Sequence, residues 1–267
     1  MPDPAYTHGY SDAVLGSHRH RTAENSAAHL LPRLRAGMRL LDVGSGAGTI
    51  TADLARLVGP EHLTALEVSE QAAAITRAEL RRQDLPQVRI VVGDAHDLPF
   101  ASAEFDVVHV HQVLLHVTNP AGVLGEARRV LRPGGIASIR ESDYEGFRWY
   151  PDSAGLTRWR QLYLRAARAN GGTPDAGRRL LAWAHQAGFT EVTPSASTTL
   201  HATPEQRSTW GAAWAKRILA PPLADQLRAE GWADAAELER ISAAWHEWAA
   251  HPDGWFALLH GEIIARA

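Results

Sequence analysis

The stretch LLDVGSGAGT, residues 40–49, joins a short apolar run to three alternating glycines. An apolar run that stops at a glycine cluster is typical of a buried strand, and Thr49–Val58 has the pattern of a helix that ends at Gly59. The glycines allow a tight turn and a close approach to a ligand, because they carry no Cβ. The helix that follows presents unpaired N–H groups at its start. This strand, turn and helix predict a ligand-binding loop.

The alternation of strand and helix patterns continues to residue 141. The predicted strands after the first are Leu63–Val68, Val88–Val92, Phe105–Val110 and Ile136–Ile139, and the predicted helices between them are Glu70–Gln83 and Ala121–Leu131. Short apolar strands separated by helices of this length are typical of a parallel sheet that is covered on both faces. The sequence therefore predicts an α/β fold.

Composition limits the classes of protein to consider. The chain has 267 residues, a formal net charge of −3 and no cysteine. This charge argues against nucleic acid as the main partner, and the lack of cysteine excludes disulfides, Cys-ligated metals and thiol nucleophiles. The start of the sequence lacks the pattern of a secretion signal, and no apolar run approaches the ~18–20 residues of a membrane span. We therefore expect a soluble, cytoplasmic protein.

Acidic residues at the ends of successive predicted strands indicate what the loop binds. Glu67 ends the second strand, where a carboxylate can accept hydrogen bonds from both hydroxyls of a ribose. The glycines follow G-x-G-x-G with Thr49 next, rather than the dinucleotide pattern G-x-G-x-x-G. Asp42 at the end of the first strand would repel a pyrophosphate and attract an ammonium or sulfonium group. S-adenosylmethionine has both cations and no phosphate, so we expect Asp42, Glu67 and Asp94 to face it.

Several motifs together resemble one family. They are LLDVGSGAGTIT at 40–51, the strand end at Glu67, GDAHDLPF at 93–100 and EARRVLRPGG at 126–135. These resemble the class I S-adenosylmethionine-dependent methyltransferases, most closely the ubiquinone/menaquinone-biosynthesis-like branch. The resemblance covers about residues 38–141, with weaker support at 175–200 and 255–267. It implies a methyltransferase that takes S-adenosylmethionine as its cofactor.

The resemblance also implies cofactor contacts, position by position. It places Asp42 and Gly44 at the methionine moiety, Glu67 at the ribose, and His111 with Gln112 on the sulfonium side. Around the adenine it places Val68 beside the ring, Asp94 at the exocyclic amine, and Ala95 as a donor through its backbone N–H. The other cofactor contacts that we expect are Ser45, Gly46, Gly48, Thr49 and Gly93.

The N-terminal segment resembles a sub-branch found in microbes and fungi, in which this part folds over the cofactor. The residues concerned are 6–10 and 17–25. We expect Tyr10 and Arg21 to be cap residues, and an aromatic ring near a sulfonium is favoured by cation–π attraction. Within this segment, Glu24–Leu34 has a helical pattern that Pro32 kinks or ends.

From these patterns we expect a Rossmann-like, seven-stranded and mostly parallel sheet with helices on both faces and helical lid insertions. The expected units are a cap over the cofactor at 1–37, a cofactor-binding core at 38–141, a helical lid insertion at 142–174, a core continuation at 175–200, a second helical insertion at 201–254 and a final core strand at 255–267. The second insertion is a lid, a substrate-binding part or a dimer face.

Candidate catalytic residues follow the fourth and fifth predicted strands. His116 is a candidate general base with a pKa near neutrality, and the alternative is a histidine that caps its loop. Glu141 and Tyr144 follow the fifth predicted strand, at the edge where open α/β sheets bind ligands. There they either contact the methyl acceptor or orient His116, and the alternative is that they belong to a solvated loop without a role in the reaction. His109 and His111 have the spacing of a metal pair, but no third ligand is evident, so we expect no metal.

All nine tryptophans lie between Trp149 and Trp255. They form an aromatic acceptor pocket, or they pack as core or as a dimer face, and we favour this second alternative, core or dimer face, for most. The expected reaction is in-line transfer of the methyl group to O, N, C or S of a small, apolar or aromatic metabolite. The rivals are a nicotinamide-dependent oxidoreductase, although no Tyr-x-x-x-Lys is present, and a non-methylating S-adenosylmethionine-binding protein.

Overall fold

One sheet organises the fold, and the computed structural model describes residues 20–267. Its strands are β1 (Leu40–Val43), β2 (Leu63–Glu67), β3 (Arg89–Val92), β4 (Phe105–His111), β5 (Leu131–Ser142), β6 (Arg148–Tyr150), β7 (Glu191–His201) and β8 (Trp255–Arg266). The first five are parallel in the order β3-β2-β1-β4-β5. Strand β8 lies antiparallel beside β5, and β7 lies antiparallel beside β8. The predicted Rossmann-like, mostly parallel sheet is confirmed.

The eighth strand corrects the predicted number of seven. Strand β6 lies inside the segment predicted as a helical insertion, and it pairs with residues 255–257 of β8. Since β7 occupies one edge of β8 along its length, β6 and β5 share the other edge. Three residues are too few for a periodicity of two to be recognised in the sequence.

The helices within residues 20–267 cover both faces of the sheet and one end. They are α1 (Ala23–Ser26), α2 (Thr49–Val58), α3 (Glu70–Arg82), α4 (Pro120–Val130), α5 (Ala154–Ala169), α6 (Leu180–Gln186), α7 (Pro204–Leu219), α8 (Leu223–Ala229) and α9 (Ala235–Ala250). Helices α1–α3 pack on one face and α4 and α6 on the other. The expected helix over Glu24–Leu34 is wrong in extent, because α1 ends at Ser26 and Pro32 lies in a separate 3₁₀ turn.

One face of the sheet changes from apolar to polar along its strands. Alternation places Leu40 and Asp42 of β1 on the same face, together with Val107 and His109 of β4. Leu40 and Val107 belong to the core against α2, whereas Asp42 and His109 lie nearer the carboxyl ends of their strands. This polar end of the face is where the glycine loop turns into α2.

Helices α5 and α7–α9 pack in a second hydrophobic core, which also includes Phe256 and Leu258 of β8. Trp159, Trp214 and Trp245 are fully buried in it, and the ring centroids of Trp159 lie 4.6 Å from Trp214 and 4.8 Å from Trp245. Both contacts are edge-to-face, an arrangement that the quadrupoles of aromatic rings favour. The interpretation of these tryptophans as core is therefore confirmed.

Membrane spans and metal clusters are both absent from residues 20–267. Among the helices of residues 20–267, none combines the length and apolar content that a membrane crossing requires. In the same part of the chain, no three His, Asp or Glu side chains are grouped so as to hold a metal ion.

Candidate active site

The glycine loop between β1 and α2 has the backbone that its sequence predicts. Gly44, Gly46 and Gly48 have φ angles of +75°, +55° and +78°, a region that side chains other than glycine rarely adopt. A Cβ on Gly44 would overlap the Cγ2 methyl of Val113 in the loop after β4. The Gly44 N–H donates to the Leu66 carbonyl of β2 at 2.8 Å. The loop is thus fixed between the ends of β2 and β4.

The carboxylate of Asp42 lines the cleft described below and also has partners within the protein. Its Oδ2 accepts a hydrogen bond from the Thr51 hydroxyl at 2.6 Å, and its Oδ1 lies 2.8 Å from Nδ1 of His109. Asp42 and His109 are direct neighbours in the β1–β4 register, on one face of the sheet. Asp42 is only 3% exposed, so these two partners fix the orientation of its carboxylate. The expected contact of Asp42 with the ligand stays a prediction.

Glu67 and Asp94 are also engaged by the protein itself. The Gly46 N–H donates to Oε1 of Glu67, and burial raises the pKa of that carboxyl. Oδ1 of Asp94 accepts from the His96 N–H at 2.8 Å, which lowers the pKa of Asp94. Each carboxylate has further lone pairs that can accept hydrogen bonds from a bound ribose or adenine.

A cleft of about 360 Å³, counting the part open to solvent, lies between the glycine loop, the start of α2 and β4. Its lining residues are Arg21, Asp42, Gly44, Ser45, Gly46, Ala47, Thr49, Ile50, His109 and His111. The structure therefore brings together the loop residues, Arg21 and His111 that the sequence predicts. Sequence reasoning missed His109, Ala47 and Ile50, and His109 had been considered only as a metal ligand.

The remaining predicted contacts lie elsewhere. Gly48, at the N-terminal end of α2, completes the loop without lining the cleft. Glu67 and Val68 are at the end of β2, and Gly93, Asp94 and Ala95 follow β3, so they border the cleft along the strand tips rather than line it. Val68 is 54% exposed, as a side chain that flanks a bound ring would be. Tyr10 lies outside the described residues.

Arg21 reaches the site from the chain before α1. Its Nη2 donates to Oε1 of Gln112 at 2.7 Å, and Nε2 of Gln112 donates to the Ser142 hydroxyl at 2.9 Å. Ser142 lies 3.3 Å from Nδ1 of the buried His260. Gln112 has a φ angle of +54°, which is unfavourable for a residue with a side chain. A strained residue at the end of β4 thus holds the guanidinium over the cleft.

Two imidazoles of β4 line the cleft with nitrogens that have no protein partner. Both ring nitrogens of His111 and Nε2 of His109 are buried and make no hydrogen bond within the described part of the chain. The two rings are parallel, with centroids 6.2 Å apart. Burial, followed by the charge of Arg21, lowers the pKa of His111 well below its usual value. The ring is therefore neutral at physiological pH and has one donor and one acceptor to offer.

The candidate catalytic residues occupy the loops after β4 and β5. Burial lowers the pKa of His116 to about 3, which corrects the expectation of a base that titrates near neutrality. Burial raises the pKa of Tyr144, so its hydroxyl stays protonated. Glu141 is fully buried, and its carboxylate accepts hydrogen bonds from the N–H groups of Val113 and Leu114 at 2.9 and 2.7 Å. Glu141 holds the His116 loop in place rather than facing an acceptor.

Comparison with known proteins identifies the family. A model described as a methyltransferase domain matches residues 41–139. A Schizosaccharomyces pombe protein described as an uncharacterized methyltransferase, C1B3.06c, is 30% identical over 267 residues that span 97% of this chain and 95% of that protein. This chain belongs to the S-adenosylmethionine-dependent methyltransferases. The nicotinamide-dependent oxidoreductase is thereby set aside.

Two further similarities concern the branch of the family and the fold. The ubiquinone/menaquinone biosynthesis C-methyltransferase UbiE of Roseobacter denitrificans is 39% identical over 108 residues, which is 40% of this chain and 43% of that protein. The match therefore spans less than half of either protein. The structure of BH2331 from Bacillus halodurans has a TM-score of 0.58 at 20% identity and covers 90% of this methyltransferase and 97% of that chain. The predicted resemblance is confirmed.

The residues of this methyltransferase fit S-adenosylmethionine. The left-handed glycines keep the loop free of Cβ atoms, and a buried acid–imidazole pair and a guanidinium lie in the same cleft. An amino acid zwitterion needs both an acceptor and a cation at its binding site. The buried ring nitrogens of His109 and His111 need polar partners that the described residues do not provide.

Proposed function

We propose that this methyltransferase transfers the methyl group of S-adenosylmethionine to a small, apolar or aromatic metabolite. When bound, S-adenosylmethionine supplies a methyl group already activated on sulfur, which the acceptor takes by in-line displacement. The protein then has to align the two partners and exclude water, rather than to activate the methyl donor.

Aromatic side chains next to the carboxyl ends of β4 and β5 support this class of acceptor. Tyr144, directly after β5, packs on Phe147 and Tyr163 with ring centroids 4.5 and 4.4 Å apart. Leu115, in the loop after β4, belongs to the same core cluster. Both loops thus pack on an apolar, aromatic core, and apolar surroundings of this kind support a flat organic acceptor over a protein or nucleic acid.

The proposed cofactor contacts follow from the cleft. The glycine loop from Gly44 to Gly48, with Ser45 and Thr49, encloses the methionine moiety, and Arg21 meets its carboxylate. Glu67 binds the ribose, whereas Val68, Gly93, Asp94 and Ala95 surround the adenine. His111 and Gln112 border the sulfonium, with Gln112 also orienting Arg21. Tyr10 remains a prediction for the cap.

On the acceptor side, we propose that His116 and Tyr144 act mainly by position. A histidine whose pKa is about 3 is neutral and a weak base at neutral pH, so His116 suits a methyl acceptor that needs no strong base. The hydroxyl of Tyr144 stays protonated and can act as a hydrogen-bond donor. We assign Glu141 to positioning of the loop that carries His116.

We also propose the segments 1–37, 142–174 and 201–254 as a cap and lids around the core units 38–141, 175–200 and 255–267. The 201–254 segment has the further alternative of a dimer face. A homodimer and a cytoplasmic location remain predictions, which light scattering and cell fractionation test directly.

The function is tested with methyl-labelled S-adenosylmethionine and a cell extract separated into protein, nucleic acid and small-molecule fractions. We expect label in the apolar small-molecule fraction. Gly44→Val serves as the binding-deficient control, since its side chain would overlap Val113. Label in protein or nucleic acid would overturn the proposed acceptor class. Tight binding of S-adenosylmethionine in calorimetry with no transfer to any fraction would instead support a non-methylating binding protein.

A further inference from the structure

His109 and Asp42 form a buried pair on adjacent strands that opens into the cleft. Nδ1 of His109 lies 2.8 Å from Oδ1 of Asp42, and the histidine side chain is 1% exposed. Thr51 donates to the other oxygen of Asp42 at 2.6 Å. The remaining nitrogen of the ring, Nε2, is buried, makes no hydrogen bond within residues 20–267 and belongs to a side chain that lines the cleft.

The chemistry of the pair fixes the tautomer of the ring. A carboxylate only accepts hydrogen bonds, so the proton of a neutral His109 lies on Nδ1 and the lone pair on Nε2. Asp42 therefore leaves an unsatisfied acceptor at Nε2, and a buried acceptor of this kind is costly unless a donor meets it.

The same cleft thus contains a hydrogen-bond acceptor, Nε2 of His109, and a cation, the guanidinium of Arg21. Nε2 of His109, backed by the charge of Asp42, suits a positively charged N–H donor. The guanidinium of Arg21, held by Gln112 at 2.7 Å, suits a carboxylate. An α-amino acid zwitterion carries both groups on one carbon, and the methionine moiety of the cofactor is such a zwitterion.

We propose that Nε2 of His109 accepts a hydrogen bond from the α-ammonium group of the cofactor, and that Asp42 acts on this group by holding the ring. The inference rests on the cofactor placement proposed above. It changes the role of Asp42 from a direct ligand to a positioning residue, and it gives a binding role to a residue that the sequence suggested only as half of a metal pair.

The test uses three thioether ligands that differ by one charged group each. They are S-adenosylhomocysteine, its decarboxylated amine 5′-deoxy-5′-(3-aminopropylthio)adenosine, and 5′-deoxy-5′-(propylthio)adenosine, which has neither charge. Calorimetric Kd values for the wild-type protein then separate the contribution of the carboxylate from that of the ammonium group. Enzyme activity is not needed for this measurement.

Two substitutions of His109 distinguish a ligand contact from a structural one. In His109→Asn the amide nitrogen can replace Nδ1 and keep the hydrogen bond to Asp42, but nothing replaces Nε2. In His109→Gln the amide oxygen reaches the position of Nε2 and can still accept. Arg21→Met is the matched variant for the opposite group of the zwitterion.

For the wild type we expect the amine to bind more tightly than the propyl ligand by about 10- to 100-fold, the strength of a charge-assisted hydrogen bond. His109→Asn should abolish this difference while the Kd of the propyl ligand stays within about 2-fold, and His109→Gln should keep part of it. Arg21→Met should leave this difference intact and abolish the one between S-adenosylhomocysteine and the amine.

Three results would overturn the inference. The first is a full preference for the amine in His109→Asn. The second is a larger loss of this preference in His109→Gln than in His109→Asn, which would assign His109 to support of Asp42. The third is an equal loss of affinity for all three ligands in His109→Asn. If the wild-type protein binds none of the three, the cofactor placement itself is wrong, and this outcome is distinct from the others.

Discussion

Replacement of Glu141 distinguishes two roles of its buried carboxyl group. The group binds a proton whose affinity burial increases, and it accepts hydrogen bonds that hold the loop after β4. Burial raises the pKa of Glu141 to about 8 from 4.5 in the unfolded chain, although three backbone N–H groups of the loop after β4 oppose this rise. The folded state therefore binds the proton more tightly. Consequently the free energy of unfolding falls as the pH rises from the unfolded value to the folded value.

The magnitude follows from the two pKa values. Each pH unit between them costs about 1.4 kcal/mol, so the loss between pH 6.5 and pH 8 is about 2 kcal/mol. Glu141→Gln does not titrate, and its amide oxygen can keep the contacts at 2.9 and 2.7 Å with the N–H groups of Val113 and Leu114. Glu141→Ala leaves the backbone donors without an acceptor, at about 1 kcal/mol or more for each.

The assay is urea unfolding of the wild type and both variants at pH 6.5 and pH 8. We expect the pH dependence of Glu141→Gln to be smaller than that of the wild type by about 2 kcal/mol, and Glu141→Ala to be less stable than Glu141→Gln by about 3 kcal/mol. An unchanged pH dependence in Glu141→Gln would refute the argument from burial. Equal stability of the two variants would refute the role of the carboxyl group in holding the loop.

Three further predictions test separate parts of the structure. Gln112→Gly removes about 1 kcal/mol of backbone strain together with the contact to Arg21. We therefore expect a higher Tm than for Gln112→Ala, and a Kd for S-adenosylhomocysteine that is raised about 5- to 10-fold over the wild type. A lower Tm than for Gln112→Ala would contradict the argument from strain. In urea titrations, Trp245→Ala should lower the free energy of unfolding by about 3–5 kcal/mol, because Trp245 is fully buried. Trp255→Ala, at a 40% exposed position, should lower it by less than about 1 kcal/mol. Equal losses would count against the buried aromatic core. Burial lowers the pKa of His201 to about 4, so the wild type loses stability as the pH falls from 6.5 towards 4. In thermal unfolding, the Tm of His201→Gln should fall less than that of the wild type over this range. Parallel plots of Tm against pH for the two proteins would show that this histidine is not the cause.

The strands within residues 38–141 could largely be predicted, because apolar runs bounded by glycine or proline indicate several of them. Strand β1 is the apolar run that precedes the three glycines, and β2 ends one residue earlier than predicted, before α3 begins. Strand β5 is longer than the predicted Ile136–Ile139, because Leu131 still pairs with Phe105 and the Pro-Gly-Gly segment forms an irregularity within the strand rather than ending it. Local sequence indicates a turn there, but the partner strand determines whether pairing resumes.

The orientation of the acids could not be predicted in the same way. The sequence identifies Asp42 and Glu67 at strand ends, yet the donors they meet come from other parts of the chain, such as His109 on β4 and Gly46 in the loop. Which residue lies beside Asp42 depends on the register of β1 and β4, which no periodicity within one strand contains. The composition of the site was predictable, but its internal pairing was not.

The crowding of indoles at one end of the molecule gives the protein two separately observable halves. Every tryptophan lies between Trp149 and Trp255, outside the glycine loop and the strands that border the cleft, and three of them are fully buried with edge-to-face ring contacts. Their emission and their near-ultraviolet dichroism therefore report on the aromatic cluster and on the parts of β6 and β8 beside it, and not on the glycine loop. An adenosyl ligand that alters this optical signal would have shifted that cluster through the loops after β4 and β5 that join it, whereas a silent titration would mean that the strand edge fills without disturbing it.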